Sequence, residues 1–198
     1  RDFCLSRGLG DVYKRQLYDN VPLQYQVKAD SGAVAFTYQL NDKPVPLHAS
    51  CELRIGLRRK PVADTTKYYV ARVTPKGTKY SVGGKYEDGF MKASICELGT
   101  YTVALDTVPP EIIPVNKNLW GRNGKIVYRL KDEGAGIASY RGTIDGEYAL
   151  FGRPNIVKSY WECVLDPKHV KKGGKHTVEM TVTDACGNQT VSKETFVW

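Results

Sequence analysis

The sequence predicts an all-β protein made of two consecutive β-sandwich domains, and three observations carry that expectation. Short alternating runs recur every 8–12 residues and are punctuated by Gly and Pro, the spacing of sandwich strands. The segment Asp106-Thr107-Val108-Pro109-Pro110 closes one such run and precedes another. Its two consecutive prolines cannot donate to a ladder and hold the chain extended, as in a stiff joint between units that fold alone. Thirteen tyrosines against five phenylalanines, with 19 glycines, fit strands whose rings pack inside while the hydroxyls reach the edge. At 198 residues the chain suits two small domains, each of a size that supports a seven-stranded sandwich.

In the first half, Leu23–Val27 alternates apolar and polar residues, the mark of a half-buried strand. Pro44 and Pro46 break the following stretch, and alternation returns from Cys51 to Leu57. Runs at 67–73, 89–95 and 99–105 follow, with turns at Pro75-Lys76-Gly77 and Gly83-Gly84. Nothing in this half repeats at helical spacing for more than a few residues. The basic run Arg54, Arg58, Arg59 and Lys60 reads as the wet face of its strand.

The second half is cleaner. Ile126, Tyr128 and Leu130 point one way, and Lys125, Val127, Arg129 and Lys131 the other. After a glycine-rich bend at 132–137, Ser139–Ile144 meets Glu147–Phe151 across Asp145-Gly146. Both loop positions tolerate positive φ, so this is the strongest short hairpin signal in the chain. Val157–Leu165 and His176–Thr183 are expected to pair next. Asp184-Ala185-Cys186-Gly187-Asn188 then turns into a last strand, Thr190–Val197. With Ile112–Val115 the count is seven strands, the number of an immunoglobulin-like sandwich.

The frame Asp-Thr-x-Pro-Pro-x-Ile, Gly-x-Gly-Ile, Asp-Gly and His-Thr-Val-x-x-x-Val-Thr-Asp-Ala-x-Gly-Asn over 106–198 resembles bacterial cell-surface immunoglobulin-like domains. Three further segments, Ser81–Tyr86, Leu98–Val103 and Tyr140–Gly146, are similar to the C-terminal region of exported LytM- or lysostaphin-type zinc metallopeptidases. These are cell-wall endopeptidases of Gram-negative envelopes, and the similarity extends over about 17–198. It implies an exported protein of the periplasm or outer cell envelope.

Residues 4–16 show neither strand nor helix periodicity, and they resemble a translated sequencing-adaptor read-through found at the ends of metagenomic sequences. The alternative is an ordinary disordered tail. Setting 1–16 aside leaves domains at 17–105 and 106–198, expected to be a fragment of something longer. Residues 1–16 carry four basic and two acidic side chains, so the net charge moves only from +8 to +6. A basic balance attracts polyanions. The charges are spread over strands and turns without a recognisable reading motif, which argues against a nucleic-acid partner. No apolar run approaches the roughly 20 residues of a membrane span.

Cys4 lies in that first segment, leaving Cys51 and Cys96 in one domain and Cys163 and Cys186 in the other. Were 160–165 and 178–183 a hairpin, Cys163 would face about residue 178, with Cys186 some eight residues further along. At ~3.3 Å per residue that is far beyond the ~7 Å Cα limit for a bridge. Free thiols are expected there, and a Cys51–Cys96 bridge is left open.

The peptidase family binds zinc through His-x-x-x-Asp and a later His-x-His, because hydrolysis needs about three ligands and an open position for water. The chain has three histidines, His48, His169 and His176. His48 is followed four residues on by Glu52, and no His-x-His occurs, so no catalytic residue of the family transfers. No catalytic residue, metal ligand or cofactor is therefore expected in this chain, and zinc only in an upstream domain. Serines 139, 159 and 192 lack a nucleophile elbow. Asp132, Glu133, Asp145 and Asp184 offer calcium-type oxygens, yet Asp-Gly and Asp-Ala-x-Gly-Asn are first of all turn chemistry.

Two binding features remain. Lys168, His169, Lys171, Lys172, Lys175 and His176 form the densest basic patch of the second domain, suited to an anionic envelope polymer or to plain solvation. Its lysines would repel a cation from the two histidines. Trp120 lies in a loop-like setting where an indole stacks on a sugar ring or closes one end of the core. Trp161 reads as core, and Trp198 carries no signal. The expected function is a non-catalytic spacer or orienting region of an envelope peptidase, with the upstream domain as covalent partner and peptidoglycan or an anionic polymer as further contact. The alternative is a modular glycan- or protein-binding domain.

Overall fold

The chain divides between Thr107 and Val108 into two units with separate cores. The computed structural model describes residues 3–5 (backbone only), 23–29, 32–59, 61–154 and 159–198. The expectations for 6–16, for the domain start at 17, for Lys60 and for strand onset at Val157 fall outside these residues.

The first unit contains β1 (Phe3–Leu5), β2 (Tyr25–Lys28), β3 (Thr37–Leu40), β4 (Val45–Gly56), β5 (Tyr68–Val73), β6 (Lys79–Gly83), β7 (Lys85–Glu87), β8 (Phe90–Leu98) and β9 (Thr100–Leu105). They form two antiparallel sheets, ordered β1-β4-β8-β7 and β2-β3-β9-β5-β6. Leu53, Ile55, Met91 and Ile95 from one sheet meet Tyr38, Leu40, Val70, Tyr101 and Val103 from the other in a single core. Between β4 and β5, the Asp64 carboxylate caps a short turn by accepting from the Thr66 amide at 3.0 Å.

Three expectations change here. Phe3–Leu5 is an edge strand on β4, too short to show alternation. Pro46 lies inside β4 opposite Glu97, at a stretch that β1 does not reach, so its missing N–H costs no ladder bond on that side. The strands β3, β6 and β7 have no counterpart in the sequence reading, because runs of three to five residues give alternation too little length.

The second unit holds β10 (Glu111–Pro114), β11 (Lys125–Lys131), β12 (Ile137–Ile144), β13 (Glu147–Ala149), β14 (Tyr160–Val164), β15 (Lys175–Asp184) and β16 (Gln189–Val197). These seven strands make a three-stranded sheet, β10-β11-β14, and a four-stranded sheet, β13-β12-β15-β16. This is an immunoglobulin-like sandwich in which the fourth strand stays with its hairpin partner. Ile126, Tyr128, Leu130, Val178, Met180 and Val182 are each at most 1% exposed at the centre of its core.

The expected pairing of β14 with β15 is corrected. β14 lies on β11, with Ile126 opposite Cys163, while β15 lies between β12 and β16. The 165–174 connection crosses from one sheet to the other, as a sandwich requires, instead of turning back as a hairpin.

Among the described residues, Cys51, Cys96, Cys163 and Cys186 form no disulfide with one another. Cys163 and Cys186 are buried, and they are separated by topology, not by displacement along a shared hairpin. Cys51 sits opposite Ile95 and packs on the core, whereas Cys96 is one residue on and faces outward. Adjacent residues of a strand face opposite sides, which places the two thiols on different faces. Burial also raises the thiol pKa of Cys51 and of Cys163. Alkylation of native protein with iodoacetamide, followed by peptide mass mapping, is expected to mark Cys96 first. Cys163 and Cys186 should react only after unfolding. Equal labelling of all four without denaturant would contradict this packing.

Candidate functional site

The polar side chains of the second unit converge on its turns. Asp145 and Gly146 take φ of 51° and 89° in the two-residue loop joining β12 to β13. This places the Asp145 carboxylate beside the first residues of β15. One oxygen accepts from the Thr177 amide at 2.8 Å, and the other lies 2.6 Å from His176 Nδ1. His176 Nε2 is 2.8 Å from the Lys171 carbonyl. A carbonyl only accepts, as does an ionised carboxylate, so this setting satisfies both ring nitrogens when the ring is protonated and favours the imidazolium. The Asp145 hydrogen bond is the main reason the His176 pKa is raised, with burial opposing and the Lys171 carbonyl adding. Asp145 is held below the usual carboxylate range by His176 and then by the Thr177 amide. The His176 side chain is 8% exposed and its ring tilts against Phe196 at 5.5 Å.

The 166–175 loop rests on this clamp. Asp166 accepts from the Lys168 amide through its side chain and from the His169 and Val170 amides through its carbonyl, each at 2.9 Å. Val170 is buried. Gly173 N–H donates to the Trp198 carbonyl, and Trp198 N–H donates to Gly174 at 3.1 Å. The Lys172 ammonium sits 5.3 Å from the centroid of the Trp198 ring. Lys168, His169, Lys171, Lys172 and Lys175 are exposed.

The seven candidate residues therefore separate. His176 is corrected from a surface contact to a buried side chain held between Asp145 and the Lys171 carbonyl. Both of its ring nitrogens already have partners, which leaves neither facing an open position for a metal. His169 lines a different feature, a groove of about 380 Å³ with Tyr148, Leu150, Cys163 and Val164. For Trp120 the core-closing reading holds and the sugar-stacking alternative falls. The residue begins a helical turn, Trp120–Asn123, and is 1% exposed. Its indole N–H donates to the Val115 carbonyl at 2.8 Å, and its ring packs edge-on against Tyr128 and Phe196. A fully covered indole cannot stack on a sugar, so Trp120 closes the core. Only the four lysines and His169 stay on the surface.

The sequence missed Asp145 as the partner of His176, 31 residues away, and Trp198 as the anchor of the loop. The signal for the first was present: an Asp-Gly hairpin leaves a carboxylate pointing back from its turn. Among the other acids, Asp132 accepts from the Gly134 and Gly136 amides at 3.1 and 2.6 Å. Asp184 accepts from the Cys186 and Asn188 amides at 2.8 Å. Carboxylate oxygens of these two aspartates come within 4.8 Å of each other. Turn capping accounts for these hydrogen bonds.

A second groove, about 470 Å³, includes Tyr140, Arg153 and Trp161. Tyr140 meets Trp161 edge-on at 5.8 Å, and the Arg153 guanidinium lies 5.2 Å from the Trp161 centroid. In the first unit, burial pushes the Tyr101 hydroxyl up to about 12. That hydroxyl donates to the Glu97 carbonyl at 2.8 Å, and the Glu97 carboxylate pairs with Arg72. No helix among the described residues is long and apolar enough to cross a membrane.

Residues 11–106 match the family model of the Zu5-like domain, a stretch that ends one residue after β9. The chain is similar to that family over this first unit, and the match is compatible with its β-rich fold. No curated protein matches the chain.

Proposed function

We propose that this chain is the non-catalytic β-sandwich region of an exported cell-wall zinc metallopeptidase, and that it spaces or orients a catalytic domain preceding it. The observation that carries this reading is how the second unit uses its chemistry-bearing side chains. His176 and Asp145 tie the 166–175 loop and the β12–β13 turn to the start of β15, and Asp132 and Asp184 cap their own turns. Groups so engaged make a rigid body instead of a reaction centre. The resemblance to such peptidases, carried by the motifs at Ser81–Tyr86, Leu98–Val103 and Tyr140–Gly146 alone, supplies the rest of the reading.

The test is to extend the coding sequence upstream of residue 17 and assay the parent on purified sacculi. The expected frame encodes His-x-x-x-Asp and His-x-His. The parent releases muropeptides, the chain alone releases none and retains no stoichiometric zinc by elemental analysis. Removing 17–198 from the parent should slow attack on sacculi more than attack on a soluble cross-link peptide. An upstream frame without those ligands, or equal rates with and without the region, would sink the proposal.

A further inference from the structure

The net positive charge of the second unit is concentrated in one place. Residues 108–198 hold thirteen lysines and arginines against ten acids, and 166–175 alone hold four lysines against one acid. The rest of the unit is neutral, so the basic character of this sandwich is the property of a single loop. None of Lys168, Lys171, Lys172 and Lys175 joins an ion pair among the described residues. The one acid, Asp166, is exposed, and its carboxylate accepts from the Lys168 amide, so four lysines outnumber a single carboxylate on this loop. Arg122 adds to this end, on the helical turn that abuts Trp198.

The loop backbone is fixed from three sides: by Asp166, by the two-way hydrogen bonding of 173–174 with Trp198, and by His176 beneath the Lys171 carbonyl. The charges are thus presented on a held frame, and the ordering cost of binding falls mainly on side chains. We infer that this loop is a docking surface for a linear polymer bearing repeated phosphate groups, with Lys168, Lys171, Lys172 and Lys175 as its contacts.

The class of ligand follows from the type of cation. Lysines are compact, strongly hydrated point charges without the planar fork that grips one anion in two places. Each exposed contact is weak and screened within roughly 10 Å at ordinary salt. A single small anion gains little from such a row. A polymer neutralises several charges at once and releases its condensed counterions, which makes the binding strong at low salt and steeply salt-dependent. An anionic membrane is the less suited partner. The loop's one large apolar residue, Val170, is buried, which leaves no side chain in the loop to enter the acyl boundary. The inference is independent of the peptidase reading, since it needs no catalytic domain.

The experiment measures binding of the chain to fluorescently labelled inorganic polyphosphate by anisotropy across a salt series. Neutralising four charges predicts a slope of about −3 in log K against log salt, or roughly a 50-fold loss between about 50 and 200 mM. The variant K168Q/K171Q/K172Q/K175Q should lose nearly all binding while keeping the wild-type melting temperature. The control K28Q/K76Q/K79Q/K85Q makes the same change in net charge at exposed positions of the first unit, and should bind as the wild type does. Equal loss in both variants would show that net charge alone attracts the polymer, and would overturn the inference. So would retained binding in the loop variant, or capture by phosphatidylglycerol vesicles with none by polyphosphate.

Discussion

Replacing Gly121 with alanine is expected to cost about 3 kcal/mol, the upper range for forcing an extra carbon into packed structure. A Cβ at this position would lie 1.7 Å from the Val197 carbonyl oxygen and 2.8 Å from the carbonyl carbon. The obstacle is backbone, so no rotamer change relieves it. Either the helical turn lifts from β16 or the end of β16 moves away. Trp120 precedes Gly121 and is held by one hydrogen bond and two ring contacts, so displacement of the turn drags the largest core side chain with it. Urea unfolding followed by tryptophan fluorescence measures the effect as a lowered midpoint. Arg122→Ala, one residue on and exposed, should stay within about 0.5 kcal/mol of wild type. Similar midpoints for Gly121→Ala and Arg122→Ala would show that the turn does not press on β16.

The second large effect concerns His176. His176→Leu keeps an apolar body of similar size while removing both donors. The lost charge-assisted hydrogen bonds predict about 2 kcal/mol of destabilisation. On a unit of this size that is about 10 °C in melting temperature. The pH dependence is the sharper readout. The folded His176 pKa is raised above its unfolded value. Its contribution is therefore fully present below the unfolded pKa, near 6.5, and is lost as pH rises through the folded one. Asp145 is shifted the other way. Its contribution is present above its unfolded value and is lost as pH falls through the lowered folded pKa. Melting scans from about pH 4 to 9 should show the wild type and His176→Leu converging at the alkaline end. A constant gap across the series would mean that the ring acts by packing alone.

How far these features were legible depends on the length of the signal behind each. β11 was readable because seven residues alternate cleanly, and the structure buries Ile126, Tyr128 and Leu130 as that alternation requires. The β12–β13 hairpin was readable because Asp-Gly specifies the turn locally. Pairing of β14 was not, since a strand's neighbour in a sandwich is set by which sheet the connection reaches. Trp120 was left between sugar stacking and core closure because Asn118, Gly121, Asn123 and Gly124 read as a loop, and the helical turn Trp120–Asn123 that decides it, folding the indole inward, is too short to show in the pattern. Of the basic patch, the four lysines were legible by composition. The burial of His176 was not, because its partner is brought in from another strand by the β12·β15 pairing.

That partner also decides something the apolar pattern leaves open. Along β15 the buried positions recur every second residue, from His176 through Val178, Met180 and Val182 to Asp184. Sliding β15 by one residue would expose them all, but sliding it by two would return Val178, Met180 and Val182 to the core side, so hydrophobicity does not distinguish that alignment from the native one. The Asp145 carboxylate does. After a shift of two, the place of His176 beside it is taken by Val178 or Gly174, and neither has a side-chain donor to offer. The clamp therefore selects one alignment of the central strand among those that the core would tolerate.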